Sequence, residues 1–379
     1  MAPSNKENTA FKNWINRDSA GLLATAVHSV HPSFDRETFL QIALADLEKF
    51  ELKARVRQFS QALASTLPPS IPEAIEILIR SLPPALPDCE TLSCGWHLWP
   101  IAQFIEDHGV PHPAESIAAL TELTQRFTGE FAIRPFIIAH PEQTLVQLEK
   151  LTQHPNPHVR RWCSEGSRPR LPWGKQIPYL VSNPSPLFPI LDALKNDPEL
   201  YVRRSVSNSL NDIAKDHPDL VVKKCASWRS QSTTPETARL IRHALRTLVK
   251  NGHPGALTLL GYAPPENISS QLTLDSETVE IGSSLPMTLT LRSSSAEPQK
   301  LLIDYAVHYI RKSGQTSPKV FKWKTITLDP GKETSFSKRH SFRLTTIRAL
   351  YPGGHAIEIL INGQSTEIGK FALTPARQN

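Results

Sequence analysis

Apolar residues recur at steps of three and four along the first two thirds of the chain, then change to strict alternation. Steps of three and four gather apolar side chains on one face of a helix. The pattern runs from Phe11 to about Leu67, with FLQIALADLEKFELKARVRQFSQALAS as its longest uninterrupted stretch. Asp35 is the expected N-cap there, with Glu37 in the first turn. Thr66-Leu-Pro-Pro-Ser ends the stretch, and IPEAIEILIRSL opens a new helix with Pro72 in its first turn. Further helices are predicted over WHLWPIAQFIEDHG (96–109), ESIAALTELTQRFTGEFAIRPFIIAH (115–140) and EQTLVQLEKLTQ (142–153), with a last pair at about 218–228 and 235–250. His140-Pro141, His217-Pro218 and His253-Pro254 each mark the end of one helix and the start of another. Most of the 33 prolines fall between helical patterns, where they stop helices and stiffen turns.

Beyond Gly-Tyr-Ala-Pro-Pro-Glu-Asn (261–267) the period becomes two. SSQLTLDSETVEIGSSLPMTLTLRSSS, LLIDYAVHYI, KVFKWKTITL, ETSFSKRHSFRL, HAIEILING and EIGKFALT are short alternating runs separated by Gly, Pro and Ser. That texture predicts an Ig-like or fibronectin-like β-sandwich without an inter-sheet disulfide. The expected organisation is a mobile tail (1–10), a helical domain (11–260), a linker (261–267) centred on Pro264-Pro265, and a sandwich (268–376).

The helical part repeats a phrase. His158-Val-Arg-Arg returns forty-three residues later as Tyr201-Val-Arg-Arg, each copy after an Asn-Pro or Asp-Pro turn. A spacing in the forties with this turn chemistry is the period of HEAT-type helical repeats, so the fold class expected is a right-handed α-solenoid followed by the β-sandwich. Equivalent positions of successive repeats share one surface. Arg160, Arg161, Arg203 and Arg204 would then present paired cations, with Arg168, Arg170, Lys175, Lys223 and Lys224 nearby. The alternative is that these arginines bridge to acids on neighbouring helices.

Charge sharpens this picture. The net charge is +6, and the segment from His154 to Lys175 carries five Lys/Arg against one acid, Glu165. A local basic stretch points to an anionic partner, nucleic acid first. In register, Glu165 corresponds to Asn208 and Arg168 to Asn211. Matching the His-Pro ends instead brings Glu130 of TGEFAIRPF close to the same stripe, followed by Arg134. Two acids in a phosphate-binding surface oppose DNA binding unless they stabilise a cation; the ordinary reading is two salt bridges. Trp96 and Trp99, a helical turn apart, read as core. Trp173, after Arg168-Pro-Arg-Leu-Pro, sits in a polar loop and is placed to stack on a sugar or base.

Other chemistries are not signalled. The sequence has no P-loop, dinucleotide fingerprint, HExxH or G-x-S-x-G, and its histidines form no metal-ligand pattern, so no cofactor or metal is expected. Cys89, Cys94, Cys163 and Cys225 lack ligand spacing and read as reduced core thiols. No secretion signal or membrane-spanning run is visible, so a soluble cytoplasmic monomer is expected.

FTGEFAIRPF, HVRRWCSEGSRPRLPW and LYVRRSVSNSLNDIAKDHPDLV closely resemble the AlkC branch of the AlkC/AlkD alkylpurine DNA glycosylases. ELKARVRQFSQALA and GWHLWPIAQFIEDHG fit the same branch, and the resemblance covers roughly residues 11–260. It implies a bacterial base-excision-repair enzyme whose solenoid holds duplex DNA on its concave face. Its substrates would be cationic N-methylated bases: 3-methyladenine, 3-methylcytosine and 1-methyladenine. Hydrolysis passes through an oxocarbenium-like sugar, and a cationic base leaves neutral without a general acid. Glu130 and Glu165 would supply negative charge beside that sugar and a positioned water. With no lysine nucleophile required, the enzyme would be monofunctional. The family is noted for reading the lesion without a closed base pocket. Asn208 stands where the sister branch has an aromatic residue.

The expected DNA contacts are Arg134, Arg160, Arg161, Arg168, Arg170, Trp173, Arg203, Arg204, Asn208 and Asn211. Segment 308–324 of the sandwich adds Arg311, Lys312, Lys319, Lys322 and Lys324 with no acid, so a basic hairpin would clamp DNA; the alternative is an edge strand protected by lysines. Two other functions stay open: a non-catalytic binder of bent or damaged DNA, and a protein-binding scaffold.

Overall fold

The computed structural model describes residues 10–87, 95–344 and 349–376. Cys89, Cys94 and the expected tail, apart from Ala10, lie outside them. Sixteen α-helices precede eight strands among the described residues. The chain divides into two compact units. The first runs to Asp216 and includes 231–244; the second holds 217–230 and everything from Leu245 onward.

In the first unit, the long apolar run of 39–65 is not continuous. Helices α2 (Arg36–Leu44) and α3 (Leu52–Thr66) are separated by a turn in which Asp46 adopts φ 53°. Asp35 caps α2 as expected, its carboxylate accepting from Thr38 N at 3.0 Å. The pattern of 115–140 is also broken. Helix α6 (Pro113–Thr124) stops, and a turn through Gly129 and Glu130 leads into the short α7 (Arg134–Ala139). His140 ends α7, and Pro141 opens α8 (Pro141–Leu151).

The two repeated phrases become α9 (Pro157–Gly166) and α12 (Leu200–Ile213), which pack on each other. α12 in turn packs on α14 (Pro235–Ala244). The first arginine of each pair performs the same structural task. Arg160 donates to the carbonyls of His154 and Pro155 at 3.0 and 2.8 Å. Arg203 donates to those of Asp197 and Pro198 at 2.5 and 2.8 Å. Each fastens the turn that precedes its own helix. Arg160 also makes a two-pronged bond to Asp197, at 2.6 and 3.1 Å, which joins one repeat to the next.

The second unit contains the sandwich. A three-stranded sheet, β1 (Ile268–Leu274), β3 (Ser284–Ser293) and β6 (Glu333–Ser341), runs in the order β1-β3-β6. The other sheet orders β2 (Thr278–Glu280), β8 (Gln364–Thr374), β7 (Gly353–Ile361), β4 (Gln299–Ile310) and β5 (Thr316–Leu328) as β2-β8-β7-β4-β5. Pairing is antiparallel except between β2 and β8. Alternate residues such as Leu285, Met287, Leu289 and Leu291 of β3 face Ile303, Ile357 and Ile359 in the core. Segment 308–324 forms the expected β4–β5 hairpin, with Arg311 and Lys312 exposed at its tip.

The expected linker 261–267 lies inside this unit, because 217–230 and α15 (Arg246–Lys250) to α16 (Pro254–Leu259) group with the sandwich. Asn362 and Gly363 form the β7–β8 turn, both with positive φ (47° and 79°), the two-residue type I′ geometry. Buried Asn362 donates to the carbonyls of Ala263 and Lys300 and accepts from Leu302 N at 2.7 Å. Gly363 meets Gly252 backbone to backbone: a Cβ on Gly363 would lie 2.7 Å from Gly252 Cα. Gly363→Ala is therefore expected to destabilise this unit by about 1–3 kcal/mol, read as a lowered urea midpoint with an unchanged slope.

Candidate functional site

Helix α9 is started by the Asn156 side chain, which accepts from His158 N at 2.8 Å, and by Pro157 at its first position. Steps of four and three then bring Arg161, Glu165 and Arg168 onto one face. Glu130 reaches that face from the turn before α7. Its Oε2 lies 2.5 Å from Arg161 Nη1 and accepts from Thr128 Oγ1 at 3.1 Å. Arg161 Nη2 lies 3.7 Å from Glu165 Oε1, so one guanidinium stands between two carboxylates. Glu165 Oε1 also accepts from Arg168 Nη1 at 2.6 Å. Arg168 Nε continues to Asp212 of α12 at 2.8 Å, and Asp212 to Lys215 at 2.9 Å. The result is an alternating string: Glu130, Arg161, Glu165, Arg168, Asp212, Lys215.

Burial pushes the Glu165 carboxyl up, but the guanidinium groups of Arg161 and Arg168 and a bond from Ser205 outweigh it and hold the group below its ordinary value of 4.5. For Arg161 burial lowers the pKa, and Glu130, Glu165 and Tyr201 reverse this to a net rise. Glu165 is therefore held in the anionic form and Arg161 in the cationic form. Tyr201 lies under Arg161, with the guanidinium 5.3 Å from the ring centroid.

The first four members of this string, Glu130, Arg161, Glu165 and Arg168, form the charged side of a cavity of about 390 Å³, within the range of small-molecule clefts. The other walls are aromatic: Trp96, Trp99, Phe127, Phe131, Trp173 and Tyr201. Trp96 and Trp99, expected as core, are packed and also line this space; Trp99 stacks on Phe131 with centroids 5.7 Å apart. Trp96 Nε1 and Thr124 Oγ1, both on the wall, have no hydrogen-bond partner among the described residues.

Trp173 is 63 % exposed and has φ 64°. Gly174 N bonds Leu171 O at 3.1 Å, which closes a turn with Pro172 second and Trp173 third. Proline fixes a negative φ, so this is a type II turn, whose third position normally takes glycine. A bulky side chain there costs about 1–3 kcal/mol.

Of the predicted site residues, Glu130, Glu165, Arg161, Arg168 and Trp173 meet at the cavity. Others do not. Arg134 is 1 % exposed and spends its guanidinium on the carbonyls of Gly166, Arg168, Pro169 and Lys175. The phosphate contact expected of it is corrected to an internal one, since its donors are enclosed by backbone. The same correction applies to Arg160, taken up by the turn before its helix and by Asp197; Arg168 lines the cavity with its guanidinium bound by Glu165 and Asp212, and Arg203 holds its own turn through Nη1 while lining the recess of Arg204. Arg170 makes a two-pronged pair with Asp216 at 2.8 and 2.9 Å near the surface. Arg204 is exposed and lines a second, smaller recess with Arg239 and His243. Asn208 Oδ1 lies 3.0 Å from His243 Nε2, and Asn211 is buried. Arg311, Lys312 and Lys319 belong to the second unit.

Asp212 was missed; its only signal was an acid one turn beyond Asn208 in the second copy of the repeat.

The sandwich region, residues 269–375, matches the family described as uncharacterised protein YhaZ, C-terminal Ig-like domain. The Bacillus subtilis (strain 168) protein named uncharacterized protein YhaZ is 39% identical over 356 residues, covering 93% of this chain and 96% of its own. The solved structure of Pseudomonas fluorescens alkylpurine DNA glycosylase AlkC, bound to DNA containing an abasic site analog, is 34% identical. It superposes with a TM-score of 0.87 over 96% of this chain and 99% of that one. The chain belongs to the AlkC/YhaZ family. The AlkC match spans the helical part and the sandwich together, so the α-then-β order read from the two hydrophobic periods is that of AlkC.

In this AlkC/YhaZ chain the acid–arginine string has a measurable signature. The lowered Glu165 pKa contributes stability that is present above 4.5 and is lost as the pH falls through the lower folded value. Stability measured by urea unfolding should therefore fall more steeply below pH 4.5 in the wild type than in Glu165→Gln. Arg168→Ala, which among the described residues leaves Glu165 with only Arg161 and Asp212 with only Lys215, should cost up to about 3–5 kcal/mol at neutral pH by the same measurement.

Proposed function

We propose that this chain is a monofunctional DNA glycosylase that hydrolyses the N-glycosidic bond of cationic N-alkylated bases in duplex DNA. The bases are 3-methylcytosine, 3-methyladenine and 1-methyladenine. One observation carries the reading: two carboxylates share Arg161 on one side of an aromatic-lined cleft, in a chain that matches AlkC along nearly its whole length.

The chemistry follows from charge. Breaking the bond leaves positive charge on the sugar while the base departs neutral. The anionic Glu130–Arg161–Glu165 group stabilises that developing cation, and the two carboxylates provide a seat for the attacking water. Because the leaving base needs no proton, the low pKa of Glu165 suits the reaction. The cleft receives the sugar of the damaged nucleotide, Trp173 stacks on that nucleotide at its edge, and the base is not drawn into a closed pocket. Arg204, with Arg239 and His243, meets backbone phosphate. Arg311, Lys312 and Lys319 of the Ig-like sandwich contact the duplex as a clamp.

A second reading, a non-catalytic binder of bent or damaged DNA, draws on the fact that both carboxylates already have guanidinium partners. Base release separates the two. With duplex DNA carrying 3-methyladenine or 3-methylcytosine, the wild type should release free base and leave an abasic site. Glu130→Gln and Glu165→Gln should each slow release by about a hundredfold or more while binding DNA at least as tightly, because each removes an acid from a polyanion-binding surface. Full release rates in both variants would defeat the catalytic assignment. No release by the wild type would favour the binder.

A further inference from the structure

The loop that carries Trp173 is built around a buried guanidinium. Residues 167–177 leave the end of α9 and return on themselves, Ile177 N bonding Pro169 O at 3.2 Å. A loop of this length with adjacent ends is an Ω-loop, ordinarily packed by its own side chains. Here Arg134, from the first turn of α7, supplies the core. Its Nη1 donates to Gly166 O and Arg168 O, both at 2.8 Å, its Nη2 to Pro169 O at 3.4 Å, and its Nε to Lys175 O at 2.5 Å. Inward-facing carbonyls at both ends of the loop are satisfied by one planar group, which a lysine could not span. Gly174 fits against the same side chain: a Cβ there would lie 3.1 Å from Arg134 Cδ and Nε.

A second tie comes from outside the loop. Lys53, on the exposed side of α3, donates its ammonium to the carbonyl of Trp173 and lies 5.2 Å from the centroid of the Phe131 ring. A third joins Lys175 to Glu106 of α5 (Trp99–His108) at 3.6 Å. The residue held at the centre of these ties is Trp173, whose backbone conformation tryptophan rarely adopts. A strained residue persists only where its surroundings over-determine it, and such strain gathers at functional positions.

We propose that Arg134 and Lys53 are positioning residues that hold the 167–177 loop in the turn presenting the Trp173 ring to the cleft. For its effect on base release this rests on the glycosylase reading above; the conformational claim stands independently. Neither residue touches the reacting atoms in this scheme. Each acts through the tryptophan.

The test uses the full-length chain labelled with 5-fluorotryptophan. Seven fluorine resonances are expected, one per tryptophan, and Trp173→Phe assigns one of them. Lys53→Ala should shift or broaden the Trp173 line and leave the other six in place. It should lower kcat for base release about tenfold with KM within about twofold, as expected for a group displaced by a fraction of an ångström. Lys53→Arg, which restores a donor, should recover both the line and the rate. Arg134→Lys should move the same line; if that variant does not fold, Gly174→Ala, which presses on Arg134, takes its place. An unchanged Trp173 line in both Lys53→Ala and the second variant overturns the proposal. So does an unmoved line accompanied by a salt dependence of DNA binding shallower by about 0.9, the mark of a lost phosphate contact at Lys53 itself. If the wild type releases no base, the line positions alone decide: a moved Trp173 line sustains the positioning role of Arg134 and Lys53 while the glycosylase reading falls.

Discussion

Glu130, Arg161 and Glu165 are mutually dependent. A carboxylate withdrawn from water costs several kcal/mol unless a cation and further hydrogen bonds compensate it, and two carboxylates together repel. Arg161, poised between them, answers both problems for the pair. It is held on the correct face because α9 begins at a fixed place, set by Asn156 and Pro157. The far end is anchored through Arg168 to Asp212, one repeat away. The contact between α9 and α12 is thus also an electrostatic contact, and the position of each acid depends on the stacking of the repeats.

Much of this was legible in the sequence, at the level of position rather than of direction. The V-R-R spacing located two equivalent helices, and the register exposed Glu165 as an acid among arginines. What it did not distinguish was the two arginines within a pair. Adjacent helical residues point about 100° apart, so Arg160 and Arg203 turn back to carbonyls of their own turns while Arg161 turns to the cleft. Periodicity also hid the Gly129–Glu130 turn, because TGEFAIRPF continues the apolar spacing through a segment that is not helical. Arg134 looked like one more surface cation. Only the path of the 167–177 loop, which has no periodicity at all, shows why a guanidinium is enclosed there.

The sandwich was legible for a different reason. Alternation reports one buried and one open face directly, and the Asn362-Gly363 dipeptide reports its own turn. The boundary was less legible. Pro264-Pro265 marks a change of secondary structure, yet the packing unit begins earlier, since two glycines, Gly252 and Gly363, allow backbones to meet where side chains would keep them apart. A change of period marks where strands begin; it does not mark where a hydrophobic or backbone contact ends.

The positive charge of segment 154–175 is largely spent inside the protein. Arg160, Arg161, Arg168 and Arg170 all face acids. The string from Glu130 to Lys215 holds three acids and three bases and is neutral as a whole. Beyond a Debye length of about 8–10 Å a polyanion is not repelled by it. At contact distance the balance is different, because in a poorly solvated cleft the nearest charges dominate. A cation arriving beside Glu130 and Glu165 meets two carboxylates against Arg161 and a second guanidinium, Arg168, whose charge is shared with Asp212. The arrangement therefore separates two demands that conflict when both are met by exposed charge: tolerating a phosphate backbone at long range and stabilising a positive centre at short range.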